Sequence, residues 1–358
     1  MRRAFSNLDS PLTATAWFTV ITLAMTWPLS RGLGRNVPQD LGDPLLNCWI
    51  LGWGADHLLR ALAGHPAVLA GFWNANIFYP ELLALACSEH LIAQVLQILP
   101  IYAISGNLVL CYNLLFLSTF ILSALGVYLL VRELTGSGVA AFVAGLIYGF
   151  VPYRAFHLGH LQVLSSQWMP FVLFFLRRYF DRKHAGWLAA SAVALVLQNL
   201  SCGYFLLFFS PFVAAYVLYE IVDRGLLGDG RLWLHLAATG LVTALVTLPF
   251  LIPYLELRWR GIPPRAPSEV DYYSADVFSY LTADPDLRVW GPVLQAFPKP
   301  EGTLFLGFVP VVLAAAGLLA HARRVRVLTA AAPPLLQVRR WLAGAAGVAA
   351  ATTGLLVA

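Results

Sequence analysis

The chain has 358 residues, of which 59% are hydrophobic and only 11% are charged, with a formal net charge of +5. A soluble domain carries roughly 25% charged residues, so the composition excludes an ordinary soluble protein and predicts a helical membrane protein. The apolar runs are too long, and the strand-like alternation too weak, for a β-barrel.

The apolar runs predict an all-α, polytopic transmembrane bundle of about nine spans. In chain order they are residues 12–29, 107–131, 138–152, 162–176, 185–200, 204–222, 232–254, 303–320 and 341–358. Several are shorter than the roughly 20 residues that a span needs, so tilted or kinked packing is expected. We expect one transmembrane domain over residues 1–358, and its abrupt end within an apolar run is typical of a fragment of a longer protein.

The segment 89–105 decides the topology, because it is apolar enough to cross the membrane. If it crosses, basic clusters such as Arg177-Arg178 lie outside, against the positive-inside rule. If it lies along the outer surface, the inner side carries 14 Lys and Arg with 6 Asp and Glu, and the outer side 9 and 12, which together give the 23 and 18 of the chain. The second topology is therefore predicted: a plasma (inner) membrane protein with a cytoplasmic N-terminus and outer loops at 30–106, 153–161 and 255–302. The basic balance then reflects orientation, and no nucleic-acid partner is expected.

The first outer loop begins with two acids, Asp40 and Asp43, directly after the first span. Ionisable groups at the mouth of a membrane helix are costly and tend to be functional, so both are candidate catalytic residues. The alternative is that Asp43, followed by Pro44, only caps a surface-lying helix.

Later in this loop, Glu89 and His90 precede the surface-lying segment and are candidate substrate-binding residues. The alternative is a helix start, with Ser88 as N-cap and Glu89 in the first turn. Two such groups are too few to establish a metal site. Cys48 and Cys87 share the loop, so a disulfide between them is a further possibility.

The second outer loop is dense in polar groups for a membrane protein. It holds Arg154, His157, His160 and Gln162, which are candidates for binding an anion or positioning a hydroxyl. His157 and His160 are three residues apart and would share a face if the backbone were helical. The alternative is a set of satisfied interfacial groups.

In the third outer loop, Arg258 and Arg260 stand on the side where basic residues are disfavoured. Gly261 and the residues after it favour an extended exit, in which the two guanidinium groups share a face that suits a lipid-linked phosphate. Pairing with acids such as Glu256 is the competing interpretation.

Several stretches together resemble the GT-C superfamily, the polytopic glycosyltransferases that use polyprenyl-phosphate sugars. They are an acid after the first span (Gly42-Asp43), surface-lying helices in a large first loop, Arg132-Glu133-Leu134 on the inner side, and Pro152-Tyr153-Arg154 in the second outer loop. More closely, the stretches GDPLLNCW (42–49), NIFYP (76–80), HLGHLQ (157–162) and YSAD (273–276) are similar to a group of little-characterised bacterial membrane proteins of this kind.

The resemblance implies a GT-C-like fold and transfer of a sugar from a polyprenyl-phosphate donor to a glycan, lipid or protein acceptor at the outer face. Asp43 would act as general base, and Arg258, Arg260 or Arg154 would stabilise the departing phosphate. Pro44 replaces the second acid of the usual pair, and His157 and His160 stand where relatives often have an acid. No cofactor is predicted with certainty, and a divalent metal is possible. The alternative function is a non-enzymatic, flippase-like or assembly protein for lipid-linked glycans.

Overall fold

The computed structural model describes residues 6–261 and 265–330, and within these ranges the chain is helical apart from turns and one isolated β-bridge between Thr282 and Gln295. The α-helices of this part are α1 (Pro11–Met25), α2 (Asp43–Leu62), α3 (Ile92–Ser105), α4 (Leu108–Thr135), α5 (Gly138–Gly149), α6 (Pro152–Phe156), α7 (Leu161–Leu164), α8 (Trp168–Arg182), α9 (Ala185–Asn199), α10 (Gly203–Asp223), α11 (Gly230–Thr247), α12 (Ile252–Trp259), α13 (Pro267–Tyr273) and α14 (Phe308–Ala330). The predicted all-α class is therefore confirmed.

Four helical stretches of the described part are long and apolar enough to cross a membrane: Leu108–Thr135, Gly138–Phe156, Gly203–Asp223 and Gly230–Trp259. Shorter apolar helices are Pro11–Met25, Ile92–Ser105, Ala185–Asn199 and Phe308–Arg323. The chain is thus a helical membrane protein by the length and composition of these elements. The predicted run 341–358 lies outside the described residues.

One predicted run, 162–176, was wrong as a continuous element. The structure splits it into α7 and α8, with a break at residues 165–167. Gln198 of α9 explains the break, because its side chain donates to the backbone oxygen of Ser165 and accepts from the backbone nitrogens of Trp168 and Met169. A buried amide that satisfies three backbone groups stabilises the turn against continued helix.

The described chain divides into two compact units. The first comprises Met1–Phe150, His157–Ser210 and Trp233–Ala266, and the second comprises Val151–Phe156, Pro211–Leu232 and Pro267–Ala358, of which residues 331–358 are not described. The first unit contains α1 to α5 and α7 to α9, and it holds the main buried apolar cluster, in which α2, α3 and α4 meet around Leu51, Val95 and Phe116.

In the first unit, one end of the bundle collects the basic residues. Arg178 of α8 donates to Glu133 at the end of α4, with Nη2 and Oε2 2.7 Å apart. The Tyr128 hydroxyl of α4 donates to the backbone oxygen of Leu8, and Asp9 accepts from the backbone nitrogen of Gly138. The start of α1, the ends of α4 and α8 and the start of α5 therefore lie together.

The opposite end of α4 holds the chain that follows α1. Asn113 donates to the backbone oxygens of Leu33 and Asn36, and Asn107 donates to that of Gly34. Residues 30–106 therefore leave α1 and enter α4 at the same end, which excludes a single crossing by α3. Neither α2 nor α3 is among the four helices long and apolar enough to span, and α3 is one of the shorter apolar helices.

Candidate functional site

Asp43 is the first residue of α2, and its side chain faces His160 in the segment before α7. The N-cap of α2 is Gly42, no side-chain cap hydrogen bond is formed, and Pro44 occupies the first turn. The interpretation of Asp43 as the helix cap is therefore wrong. Backbone N–H groups in the first turn have no partner within the helix, so proline, which lacks an N–H, loses no hydrogen bond there. Its fixed φ also favours a helix start at this position.

The Asp43 carboxylate contacts a pair of histidines. His160 Nε2 lies 3.0 Å from Asp43 Oδ2, and His160 Nδ1 lies 3.2 Å from His157 Nδ1. A neutral His160 that donates from Nε2 carries its lone pair on Nδ1, so His157 is the donor across the second contact. Both ring nitrogens of His160 are thereby engaged, whereas Asp43 remains about half exposed, at 47% of its side-chain surface. Asp43 thus keeps an accessible carboxylate oxygen next to a fixed imidazole.

Asn47 joins the two segments one helical turn after Asp43. Its Nδ2 lies 3.4 Å from Gln162 Oε1 and 3.5 Å from the backbone oxygen of Gly159, and the side chain is buried. Gly159 itself packs closely, since a Cβ there would lie 3.1 Å from Gln39 Oε1 and 3.7 Å from Pro44 Cδ. The segments 39–47 and 157–162 therefore form one contact surface, which we call the Asp–His site.

His160 lies outside regular helix, as the residue before α7, so the predicted helical pairing of the two histidines does not describe their contact.

Asp40 stabilises the local turn: its Oδ1 accepts from the backbone nitrogen of Gly42 at 2.7 Å. A short polar side chain that bonds its own backbone two residues on is a common turn-former. Asp40 is exposed and makes no contact with the histidines among the described side chains.

Glu89 lies in a different environment. Both of its carboxylate oxygens lie 3.1 Å from the backbone nitrogen of Gly203, the first residue of α10, and Oε1 lies 3.7 Å from Cys202 Sγ. Burial raises the pKa of the Glu89 carboxyl, and the bonds from Gly203 and Cys202 only partly offset it. Burial likewise raises the pKa of the Cys202 thiol, which stays protonated and donates. Glu89 therefore stabilises the positive end of the α10 dipole.

His90 is buried within an aromatic cluster made by Trp73, Phe250 and Tyr254, with ring centroids 5.8, 5.3 and 6.3 Å away. Its Nδ1 accepts from the backbone nitrogen of Ile92, the first residue of α3. Burial lowers the pKa of His90 to about 4, so the ring is neutral at physiological pH. The N-cap of α3 is Leu91 in the left-handed region, so the predicted helix start with Ser88 as cap and Glu89 in the first turn was wrong.

Arg258 and Arg260 do not share an extended face. Helix α12 continues to Trp259, and Arg260 keeps a helical backbone, so two residues this close in sequence point in different directions. Arg260 pairs with Glu256, with Nη2 and Oε1 2.6 Å apart. Arg258 is exposed and forms no ion pair within the described ranges.

Arg154 lies in α6 and is buried, as part of the second unit. All four cysteines are free, so the possible Cys48–Cys87 disulfide is not formed, and burial raises the pKa of the Cys48 thiol to about 11. Within the part of the chain that the structure describes, no three His, Cys, Asp or Glu side chains are placed to hold a metal ion.

Asn47, Gly159 and the Glu89 partners Cys202 and Gly203 were not predicted. A signal for Asn47 exists in the sequence: it is polar, lies four residues after Asp43, and therefore shares its helix face. The Cys202-Gly203 partner of Glu89 is more than a hundred residues away, and nothing in the local pattern points to it.

A comparison with protein families finds one described as "Domain of unknown function (DUF6311)", which matches residues 100–356. The chain belongs to this family. No curated protein and no solved structure matches the chain. The DUF6311 match includes His157, His160 and Gln162, whereas Asp43 and Asn47 precede it. The Asp–His site therefore combines His157 and His160 from the matched region with Asp43 and Asn47 from the segment before it.

Proposed function

We propose that the protein transfers a sugar from a polyprenyl-phosphate donor to an acceptor hydroxyl at the outer face of the plasma membrane, as a GT-C-type glycosyltransferase. The observation that supports this most is the contact between Asp43 and His160. Two stretches that resemble GT-C-like proteins, 42–49 and 157–162, meet there, at the end of the bundle away from the basic cluster.

The chemistry assigned to this site is a single displacement. The acceptor hydroxyl gives its proton to the accessible Asp43 oxygen as its own oxygen attacks the anomeric carbon of the sugar. The bond between that carbon and the phosphate oxygen breaks, and its electron pair leaves with the polyprenyl phosphate. Asp43 rather than His160 is the base, because both ring nitrogens of His160 already have partners. The bond from His160 holds the carboxylate in one orientation.

The departing phosphate needs a cation, because negative charge develops on it. Arg258 is the first candidate, since it is exposed and forms no ion pair within the described ranges. Arg260 is the weaker candidate because Glu256 already neutralises it, and buried Arg154 is the third. Glu89 and His90 are proposed to shape the substrate-binding region through the positions of α10 and α3. Turnover measured with and without a divalent metal ion tests whether the reaction needs one.

The finer topology belongs to the same proposal. The shorter apolar helices α1, α9 and α14, together with α8 and the predicted run 341–358, would cross as well, which gives about nine spans with the end that holds Glu133 and Arg178 in the cytoplasm. Arg178 and Arg182 both pair with Glu133 at one end of the first unit. Basic residues concentrate on the cytoplasmic side of membrane proteins, so these pairs support a cytoplasmic location for this end.

The decisive variant is Asp43→Asn in purified protein, supplied with a panel of sugar-radiolabelled polyprenyl-phosphate hexoses and pentoses and a membrane glycan extract as acceptor. We expect turnover to fall about 10²–10⁴-fold, the contribution typical of a general base, while donor binding is retained. The matched control is Asp56→Asn, a similarly half-exposed acid of the same helix that pairs with Arg60, and it should be close to the parent.

Full turnover by Asp43→Asn would contradict the proposal. If the variant and the parent instead move a fluorescent polyprenyl-phosphate sugar across vesicles equally well, the flippase-like alternative becomes the better account.

A further inference from the structure

Within the second unit, residues 276–307 form a folded segment between α13 and α14. The backbone nitrogens of Leu304 and Phe305 donate to the oxygens of Ser279 and Thr282, and that of Ala283 donates to Leu294, at 2.8–3.2 Å. Ser279, Thr282 and Ala283 are almost fully buried. The segment therefore has a fixed conformation of its own, and side chains that it exposes are exposed by its fold.

This segment exposes large apolar side chains. Val277, Val289 and Val293 are 72%, 66% and 70% exposed. The complete set, which we call the apolar patch, is Val277, Phe278, Leu281, Val289, Trp290 and Val293. Several large apolar side chains exposed by one folded segment are typical of a surface that binds a protein or a membrane.

Ring contacts connect the patch to α14. Trp290 lies 5.0 Å from Phe308, the first residue of α14, and 5.8 Å from Phe305, measured between ring centroids. Directly after Phe308, the apolar helix exposes Val309 and Val312 at 66% and 63%. The exposed apolar side chains thus extend from the segment onto α14, one of the shorter apolar helices of the described chain.

The charge of the segment favours one class of lipid surface. Between residues 276 and 302 it carries the acids Asp276, Asp284, Asp286 and Glu301 against the bases Arg288 and Lys299. An acidic segment gains nothing from anionic headgroups, whereas basic interfacial segments do. Aromatic rings, by contrast, favour the boundary between headgroups and acyl chains.

We infer that the apolar patch rests in the headgroup–acyl boundary of a zwitterionic membrane surface, and so anchors the third outer loop to the bilayer beside the start of α14. The attraction comes from removal of apolar surface from water rather than from charge. The inference does not depend on the proposed sugar transfer, because it concerns only the outer segment and its surroundings.

The test uses the full chain in phosphatidylcholine nanodiscs, with exposed Cys87 replaced by Ser and single spin labels at Val289→Cys and Val293→Cys. Collision with oxygen, which concentrates in lipid, is compared with collision with a water-soluble nickel chelate. Asp286→Cys, an exposed acid in the same segment, is the aqueous control, and Val312→Cys in α14 is the lipid control.

Positions 289 and 293 should show an oxygen-to-nickel collision ratio several-fold above position 286 and close to position 312. The ratios should not change when anionic lipid is added. Nickel access equal to that at 286 would overturn the inference, as would protection from both reagents, which would indicate coverage by protein. Because all four positions are exposed, circular dichroism and monodispersity equal to the parent are expected and would confirm that the labelled chains are folded.

Discussion

Two acids between α1 and α4, Asp43 and Glu89, differ in what surrounds them. Asp43 is half exposed and bound by an imidazole that has a second partner. Glu89 is held by a backbone nitrogen and a thiol, and its raised pKa comes from burial. The first arrangement suits proton transfer with a ligand, while the second stabilises the start of a helix. Residue type and position alone could not separate them, because Gly203 is distant in sequence.

His90 gives a pH-dependent prediction. The folded protein holds its pKa at about 4, against an ordinary value of 6.5. Below pH 6.5, His90 therefore binds a proton in the unfolded chain but stays neutral in the folded chain. The free energy of unfolding consequently falls as the pH drops from about 6.5 towards 4. The contribution between pH 7 and pH 5 should be about 2 kcal/mol.

The measurement is the free energy of unfolding in mixed detergent micelles at pH 7 and pH 5, for the parent and for His90→Asn. The asparagine oxygen can replace Nδ1 as acceptor for the nitrogen of Ile92 but cannot be protonated in this range. Other titrating groups, including Glu89, are common to both proteins, so the variant should lose about 2 kcal/mol less than the parent. Equal losses would mean that His90 is accessible to protons in the folded state.

Among the elements, the helices that pack most closely do so through glycine. A Cβ at Gly145 of α5 would lie 2.7 Å from both the backbone oxygen of Ala124 in α4 and the Phe18 ring of α1. Atoms this close must move apart, and a backbone oxygen cannot move without shifting its helix. Three helices of the first unit therefore depend on the absence of one side chain.

Gly145→Ala should consequently destabilise the bundle by about 1–3 kcal/mol, the usual cost of overpacking. Gly240→Ala in α11 is the matched control, because nothing lies within 4 Å of its added methyl group, and alanine is favoured over glycine in helices by about 1 kcal/mol. Thermal unfolding of both variants in the same detergent compares them. Equal melting temperatures would show that α4 and α5 separate at little cost.

The elements were predicted well where composition alone decides them and less well where a distant side chain does. Apolar runs located α4, α9 and α10 to within a few residues. The break between α7 and α8 was missed because Gln198, which satisfies its backbone groups, is about thirty residues away. The extended exit at Arg258 and Arg260 was wrong because the backbone stays helical through Arg260, and Gly261 ends the helix only after both arginines.

For the whole molecule, the charge distribution predicts which end of the bundle faces the cytoplasm. A Cys replacing Lys183, between α8 and α9, should be protected from an impermeant thiol reagent in intact cells. A Cys replacing Pro267, the first residue of α13, should react. Both positions are exposed, so lack of reaction reports the side of the membrane rather than burial. With Cys87 changed to Ser as background, the reverse labelling pattern would place the Asp–His site in the cytoplasm and remove the basis for a polyprenyl-phosphate donor at the outer face.

The candidate site was predictable in part. The density of polar groups in 157–162 and the acid after the first apolar run identified both halves of the Asp–His site. Their contact depends on Asn47 and on the close approach at Gly159, which no periodicity reveals. The overlap with DUF6311 starts at residue 100, so the first half would be absent from a fragment limited to the matched region.

The return of residues 30–106 to the same end of α4 also constrains biosynthesis. The ribosome delivers α1 long before α4, so α1 must remain in the insertion machinery or in lipid without the helix that covers Ala14 and Phe18. Until α4 is synthesised, the carbonyl groups of Leu33 and Asn36 also lack the hydrogen bonds that Asn113 donates to them in the folded protein. A nascent chain stalled before residue 113 should therefore have a protease-sensitive first loop, and resistance should rise sharply once Asn113 has left the ribosome and can bind these carbonyl groups.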